Sequence, residues 1–539
     1  MSSKPRVRVS AGDAAGSSAR MMTYGRGPAP RSAYAAADQG HQSLAGWVPP
    51  MLSADAEWLR ERDVSIGRVR DLERNEGWVS AGIDRQVDML VGGALRVNSK
   101  PDAEALGISL AEAHALGRRI QSAWRGWADD PIFRCDAERQ LPFTGLAGLA
   151  AREFVGVGES LSVLRWRERD GWGSRTAVQL IDPDRLSNPN GMPDSETLRG
   201  GVEKDEDGAP IAYHIRRSHP ADVFGLTTDP FSWDRIERWD RVVPGWDRPK
   251  VLHLYDKRRP GQSRGVSKFV AGIVKTRMLS RYSESEVRTA AINATILGSI
   301  YTELGADYAA ERLGNDGATN WDAFNDQRAD FYADRRVMED ARFLTMFPSD
   351  RLELNTQPRQ TTGYPAFQTS FLQAFAASLG ISYEQLSMDW SQTNYSSARA
   401  ALNEVWRGMM RLRAILVWGF AQPIYAAWLE DAIDTGLVEL PSGAPDFYDE
   451  PAAYLRAEWI GPGRGYIDPV KEAQASTLRR DGRISTLERE AAEQGGDWEM
   501  VLEQQARERE EMIRLGIADP ETDVGIVART DLPDNRASN

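Results

Sequence analysis

The sequence predicts a mixed α+β protein, mainly helical, with one β-rich module inserted among the helices. Three observations predict it. Apolar residues recur at helical spacing over about 54–92 and again from Ala398 to Phe420, which is the period of an amphipathic helix. Between about 157 and 256 the texture changes to alternating or β-branched runs set between turn residues, the pattern of short strands. After about 465 come short segments with readable caps, as expected of a set of small helices.

Residues 1–50 read as a disordered basic arm. Its first forty are rich in Ala, Gly, Ser, Pro and Arg and carry six Lys or Arg against two Asp; a transit peptide has a similar composition, but the plainer reading is a chain too polar to bury a core. Then Val64, Ile66, Val69, Leu72, Val79, Ile83, Val87 and Leu90 mark helix, punctuated by Gly92-Gly93. Further helices are expected over 102–127 and 141–155. Strands follow at 160–166 and 176–181, with Asp170-Gly171, Asp182-Pro183 and Asn188-Pro189-Asn190-Gly191 as turns. Asp207-Gly208, between Gly201-Val202-Glu203 and Ile211-Ala212-Tyr213-His214-Ile215, is a hairpin candidate, and 251–255 reads as a buried strand.

A long helix is expected over 267–297, with Phe269, Val270, Ile273, Val274 and Met278 on one side and Lys268, Lys275, Arg277, Arg281 and Arg288 as its charge. Residues 300–355 are mixed and polar, with strands at 342–346 and 352–354. A helix over 365–379 precedes a loop rich in Ser, Gln, Asn and Tyr. The clearest periodicity follows: Ala398, Leu402, Val405, Met409, Leu412, Leu416 and Phe420 are spaced 4, 3, 4, 3, 4 and 4 and keep one stripe on one face. Arg399, Arg407 and Arg411 lie on a different face, either solvated or turned to DNA or another subunit. In the tail, Asp468-Pro469 starts a helix, Ser485-Thr486-Leu487-Glu488 reads as a capping box, and Gly495-Gly496-Asp497 ends one helix and caps the next.

The bulk numbers narrow the function. At 539 residues the chain exceeds one ordinary core. Cys135 is the sole cysteine, so no disulfide forms within the chain and no thiolate zinc cluster is possible. His41, His114, His214, His219 and His253 are scattered without metal-ligand spacing. Seventeen Trp fit either wide contacts or a heavily aromatic core. The net charge is −13, opposite to that of a protein built to grip phosphate. The longest apolar stretch, 414–421, is far too short to span a bilayer.

Signatures of chemistry are missing. The stretches Gly156-Val157-Gly158, Gly171-Trp172-Gly173 and Gly461-Pro462-Gly463 lack the lysine of a phosphate loop and the spacing of a dinucleotide site. Carboxylates are too many for any pair to stand out.

Several motifs occur together and in order: Arg74-Asn75-Glu76-Gly77, Val91-Gly92-Gly93, Ser187-Asn188-Pro189-Asn190, His253 with Gly261-Gln262-Ser263-Arg264-Gly265, and the block LGISYEQLSMDWSQTNYSSARAALNEVW at 379–406. Trp459-Ile460-Gly461 through Asp468, then Leu487-Glu488 and Gly496-Asp497, follow. This set resembles the portal proteins of lambda-like tailed phages over roughly 50–515. The resemblance implies a non-enzymatic structural protein without cofactor or metal. It implies a homo-oligomeric ring, commonly of twelve, at one capsid vertex of the virion, assembled in the host cytoplasm. Double-stranded DNA passes it without sequence specificity during packaging and ejection. Implied partners are the terminase large subunit, a head-completion or adaptor protein, and the major capsid or scaffolding protein.

Laid on this sequence, the family's parts give an arm at 1–50, a wing at 51–260 (helical, then β-rich), and a first stem helix at 261–299. A clip at 300–360, a second stem helix at 361–386 and a tunnel loop at 387–396 follow. A long helix and wing return occupy 397–460, a crown 461–516 and a flexible tail 517–539. Ser391, Gln392, Thr393, Asn394 and Tyr395 are the expected DNA-facing loop residues, and Lys275, Arg281, Arg399 and Arg407 the expected basic groups of the channel. A loop without Lys or Arg suits contact with a moving duplex, because fixed cations would hold its phosphates. The same loop reads equally as a plain helix connection. Two other classes compete with this reading. An acidic carbohydrate hydrolase would need two converging carboxylates, which the sequence does not single out; another head or connector protein would lack the stem–loop–helix order.

Overall fold

In the computed structural model of the chain, the apolar spacing over 54–92 resolves into three helices: α1 (Ala54–Trp58), α2 (Arg62–Asn75) and α3 (Gly77–Leu90). Glu76 takes an extended backbone at φ −123° and ψ 107° and breaks the run. Gly92 ends it at φ +55°, where a side chain would be strained. The structure describes residues 35–37, 42–44, 46–168, 173–222, 232–295, 298–302, 326–331, 350–354, 363–464 and 469–517. Most of the expected arm and clip, the strand at 342–346, Asp468 and the tail beyond 517 lie outside them. The chain divides into two compact units, Met1–Ser53 and Ala54–Asn539. The first has one 3-10 turn among its described residues, Ala35–Ala37; the rest of the description concerns the second.

A short strand β1 (Arg96–Ser99) leads to α4 (Leu110–Ala128) and α5 (Phe143–Gly156). The helix expected from 102 starts eight residues later, because Ser109 and Glu112 close a capping box there. Each accepts a hydrogen bond from the other's backbone N–H, which satisfies two donors that a helix start leaves open. The β-rich module holds β2 (Glu159–Trp166), β3 (Thr176–Ile181), β4 (Leu198–Arg199), β5 (Val202–Lys204), β6 (Pro210–Arg216), β7 (Trp233–Glu237), β8 (Trp239–Val243), β9 (Trp246–Pro249) and β10 (Val251–Tyr255). Three antiparallel sheets result, β10-β2-β3, β4-β5-β6-β7 and β8-β9. The expected hairpin is the β5–β6 pair, turned at Gly208 with φ +83°.

After a 3-10 turn at Lys268–Ala271 comes α6 (Ile273–Thr295). That turn shifts the phase of the helix. Phe269 is buried and Val270 and Ile273 pack on the core, whereas Val274 and Met278, expected beside them, stand exposed. Strands β11 (Gly298–Thr302) and β12 (Asp350–Leu354) pair antiparallel. Then come α7 (Gly363–Leu379), α8 (Tyr383–Ser387) and α9 (Tyr395–Leu416). Val417–Ala421 forms a π turn that leads into α10 (Gln422–Asp434). A proline ring clashes with the carbonyl four residues back in a regular helix. Pro423 follows the widened turn, and Gly419 presses against Leu254 there, with 2.6 Å between an ideal Cβ and Leu254 Cδ1.

The C-terminal part holds α11 (Pro451–Tyr454), β13 (Ala457–Ile460), α12 (Pro469–Asp481), α13 (Leu487–Glu493) and α14 (Trp498–Arg514). Pro469 is the first residue of α12 and Asp497 caps α14, as expected. The expected capping box at 485–488 does not form. Thr486 is the cap, its partner position is Arg489, and no carboxylate closes the pair. β13 returns to pair with β1, Ser99 against Ala457.

Most of the core lies where α3, α4, α5, α10 and the β10-β2-β3 sheet meet. Alanines 147, 150 and 151 of α5 are fully buried and let the backbones approach. Trp124 centres an aromatic cluster, with Trp127 and Phe143 at 4.9 Å, Trp428 at 5.1 Å, Tyr425 at 5.6 Å and Trp459 at 5.8 Å between ring centroids. The aromatic-core reading of the tryptophans holds for this cluster, while Trp239, Trp390 and Trp418 are exposed. Among the described residues no helix is long and apolar enough to cross a membrane.

Candidate functional site

The loop between α8 and α9 is shaped from both ends. Ser382 caps α8 in a reciprocal box with Gln385, and Met388 stops the helix by turning left-handed at φ +57°. At the other end Asn394 caps α9: Ser397 N–H donates to Asn394 Oδ1 at 2.9 Å. Between them Asp389 accepts from Ser391 N–H at 3.0 Å, and Thr393 Oγ1 donates to Glu384 at 3.2 Å. The bonds from the Ser391 side chain and backbone hold the Asp389 carboxyl below its usual range. Met388, Trp390, Ser391, Gln392 and Asn394 stand exposed and Thr393 is half-buried. Tyr395 is the first residue of α9; its side chain lies outside the described residues. The expected loop is thus a braced turn that presents polar groups, one indole and the Asp389 carboxylate, and no cation.

The four expected basic residues do not form one cluster. Lys275 lines an apolar cleft between α6 and α7 with Trp78, Leu279, Phe371 and Phe375. Arg281 is exposed six residues on, which at 100° per residue places it on another face of α6. Arg399 is half-buried one turn into α9; Arg407 is exposed beside Glu404 at 3.4 Å. Arg411, expected with them, is engaged by Asp256 at 3.2 Å through both guanidinium nitrogens. The apolar stripe opposite is buried from Met409 through Leu412, Leu416 and Phe420, and half-buried at Ala398, Leu402 and Val405.

Deeper in the protein the sequence concealed a charged centre. Glu159 is fully buried at the start of β2. It accepts from Arg264 at 2.6 Å, from Arg62 at 2.8 Å and from the Gly265 N–H at 2.7 Å, and lies 3.0 Å from His253 Nε2. Burial pushes the Glu159 carboxyl up, but Arg264 and Arg62 outweigh it and hold the group well below its usual range. Burial pulls His253 down, toward the neutral ring. Arg264 also donates to the carbonyls of Pro183 at 2.8 Å, Leu186 at 2.7 Å and Gly200 at 2.8 Å. A guanidinium has five donors in a rigid fork, and here it ties β2 to two turns of the β-rich module.

The surrounding motif is built to deliver that arginine. Gln262 accepts from Arg258 N–H at 2.9 Å and donates to the Arg264 carbonyl at 2.8 Å. Ser263 N–H donates to Asp55 at 2.7 Å, which joins α1 to the same turn. Gly158 and Gly265 pass so closely that an ideal Cβ on Gly265 would lie 2.2 Å from the Gly158 carbonyl oxygen. Gly158 is therefore structural, and so is Gly463, where an ideal Cβ would meet the Gln494 backbone at 2.6 Å. A second buried cation, Arg413, donates to the carbonyls of Leu90 at 3.1 Å and Met89 at 2.6 Å, at the C-terminal end of α3. Burial pulls its pKa down to about 10. The negative end of a helix dipole is a favourable place for it.

Among the described residues Asp182, Asp184 and His219 place ligand atoms within 4.8 Å of one another. Arg70 lies 2.9 Å from Asp182 and Arg62 3.3 Å from Asp184, so these carboxylates already have cationic partners. The node around Glu159 escaped the sequence because nothing in a sequence gives depth; the one signal was His253 recurring with the Gly261–Gly265 motif.

A family model described as phage portal protein, lambda family, matches residues 40–413. The portal protein of Escherichia phage N15 is 32% identical over 490 residues, covering 88% of this chain and 89% of that protein. Portal protein B of Escherichia phage lambda is 32% identical over 489 residues, with the same coverage. Among solved structures, a chain from the neck of an empty gene transfer agent particle aligns with a TM-score of 0.46 at 12% identity, covering 81% of this chain and 99% of that chain.

Proposed function

The chain belongs to the lambda family of phage portal proteins, and from that membership we propose that copies of it form a closed ring, commonly of twelve, at one capsid vertex. Portal proteins are structural and non-enzymatic, and this one is a component of the virion. The ring is the conduit for double-stranded DNA during packaging and ejection. It docks the terminase large subunit, which supplies the ATP chemistry, and later an adaptor protein; the major capsid or scaffolding protein surrounds it. Assembly takes place in the host cytoplasm.

The observation that carries this reading is the match along nearly the whole chain, at 32% identity over 88% of it. On that reading we assign the parts. Residues 51–260 form the wing, α6 and α7 the stem, 300–360 the clip, and 461–516 the crown. The braced turn at 388–394 projects into the bore, with Ser391, Gln392, Thr393, Asn394 and Tyr395 toward DNA. Its exposed members carry no cation, so phosphates slide past without a fixed partner. Lys275, Arg281, Arg399 and Arg407 are sparse and scattered, and each adds at most a narrow ring of charge.

Electron microscopy of the purified chain tests the ring. Class averages should show closed rings with an axial opening wide enough for a duplex. Monomers or open filaments under every condition would sink the proposal.

A further inference from the structure

The C-terminal helices carry apolar surface that the protomer leaves uncovered. α14 is 17 residues long and buries none of its side chains. Met500, Val501, Leu502 and Met512 stand exposed along it, and Leu515 and Ile517 just beyond. A helix of this length is marginal in water on propensity alone and draws most of its stability from packing an apolar face. Its own ion pairs, such as Arg507 with Glu503 at 3.5 Å, lie in solvent and contribute little. α12 is in the same position. Only Glu472 of it is buried, while Val470, Leu478 and, just after the helix, Ile484 are 66%, 71% and 75% exposed.

The two surfaces differ in charge. Residues 469–484 hold Lys471, Arg479, Arg480 and Arg483 against Glu472 and Asp481, a net of +2. α14 holds Glu499, Glu503, Glu508, Glu510 and Glu511 against Arg507, Arg509 and Arg514, a net of −2. Pairing α14 with another α14 would set acid against acid, and pairing α12 with α12 base against base. Only α14 against α12 matches both the apolar rows and the charges. Within one copy α13 stands as the link: Arg479 of α12 pairs with Glu490 of α13 at 2.6 Å, and α13 packs on α14.

We propose that α14 of each copy docks on the α12 surface, Val470, Leu478 and Ile484, of the next copy of this chain. The contact is head to tail, the kind that closes into a ring when its rotation permits. It rests on the ring reading above and adds to it a specific contact between neighbours. An acidic helix would repel phosphate, so nucleic acid does not fit as its occupant.

The test uses the full chain with Leu478→Cys, Met512→Cys or both, and a short bismaleimide. Cys135 is buried and its thiol is pushed up to about 12, so it stays silent. The double variant should give a ladder of covalent multimers on denaturing gels, and each single variant should remain one chain. Native mass measurement runs in parallel. Rings in native mass without a ladder overturn this contact and leave the ring reading standing. Dimers from M512C alone overturn it by showing α14 against α14. Neither rings nor ladder overturns both readings. As a second measurement, Val501→Glu with Met512→Glu should cut the ring fraction at least tenfold while far-ultraviolet helicity is kept; rings at the unaltered level would overturn the contact.

Discussion

Glu159 is one carboxylate shared by two guanidinium groups, an imidazole and a backbone N–H, all out of water. Removing one partner of such a group leaves the others charged and buried, which costs about 3–5 kcal/mol. Glu159→Gln should lower folding stability by that amount, measured as a drop in the denaturant midpoint. The pH sign follows from its depressed pKa. The unfolded carboxyl titrates near pH ~4.3 and the folded one below that, so the stabilisation is full above that value and is lost as pH falls through the folded value. Glu153 runs the other way. Burial, only partly offset by Arg70 beside it, pushes its carboxyl up to about 7. Between the unfolded value and 7 the folded chain keeps a proton that the unfolded chain gives up, so stability falls as pH rises and is lowest above 7. Glu153→Gln should therefore stabilise the protein at pH ~8, by on the order of 1–3 kcal/mol, and leave it nearly unchanged at pH ~4. Equal effects at both pH values in urea titrations would count against this. None of these residues was singled out from sequence for the role it plays. Arg413 reads as one more member of a charged helix until its depth is known.

Helices and turns were far more legible. The stripe from Ala398 to Phe420 and the hairpin at Gly208 lie where the spacing and the turn residues put them, because local sequence decides both. The start of α4 is written in Ser109 and Glu112, a capping box that the expected start at 102 overlooks. The face of α6 was not, since a 3-10 turn at 268–271 resets the helical phase and only tertiary packing selects that turn. Likewise the two glycines at 158 and 265 matter through a crossing of segments about a hundred residues apart. Gly158→Ala places a Cβ 2.4 Å from Ser267 N at a backbone φ of +98°. It should destabilise the chain by more than about 1 kcal/mol, the excess over the usual glycine effect being the steric clash, and calorimetry would read it as a lowered midpoint. Asn394→Ala removes the cap of α9 and should cost about 0.5–2 kcal/mol. Hydrogen exchange should place that loss in the first turn of α9, and uniform protection there would show that the loop does not depend on its cap.

At the scale of the molecule, a net charge of −13 and a polar loop without cations suit the passage of DNA that we propose. Proteins with 6–10 phosphate contacts lose about 10³–10⁵ in DNA affinity between 50 and 200 mM salt. This protein should bind duplex weakly and with a much shallower salt slope. Ser391→Lys with Gln392→Lys should both tighten binding and steepen that slope in fluorescence anisotropy; an unchanged slope would remove the loop from the DNA path. The family was legible because several motifs, from Arg74-Asn75-Glu76-Gly77 to the 379–406 block, occur in one order, whereas the surfaces proposed to join copies were not, since they depend on what each copy leaves uncovered. The pairing of β1 with β13 has a consequence in time. Ser99 meets Ala457 about 360 positions later in the chain. A ribosome adding roughly 5–20 residues per second takes on the order of 20–70 s to cover that distance. Nascent β1 must wait so long for its partner, and α12 and α14 emerge only after β13 has been made. Synthesis itself thus delays the exposed apolar helices until the body that carries them can close.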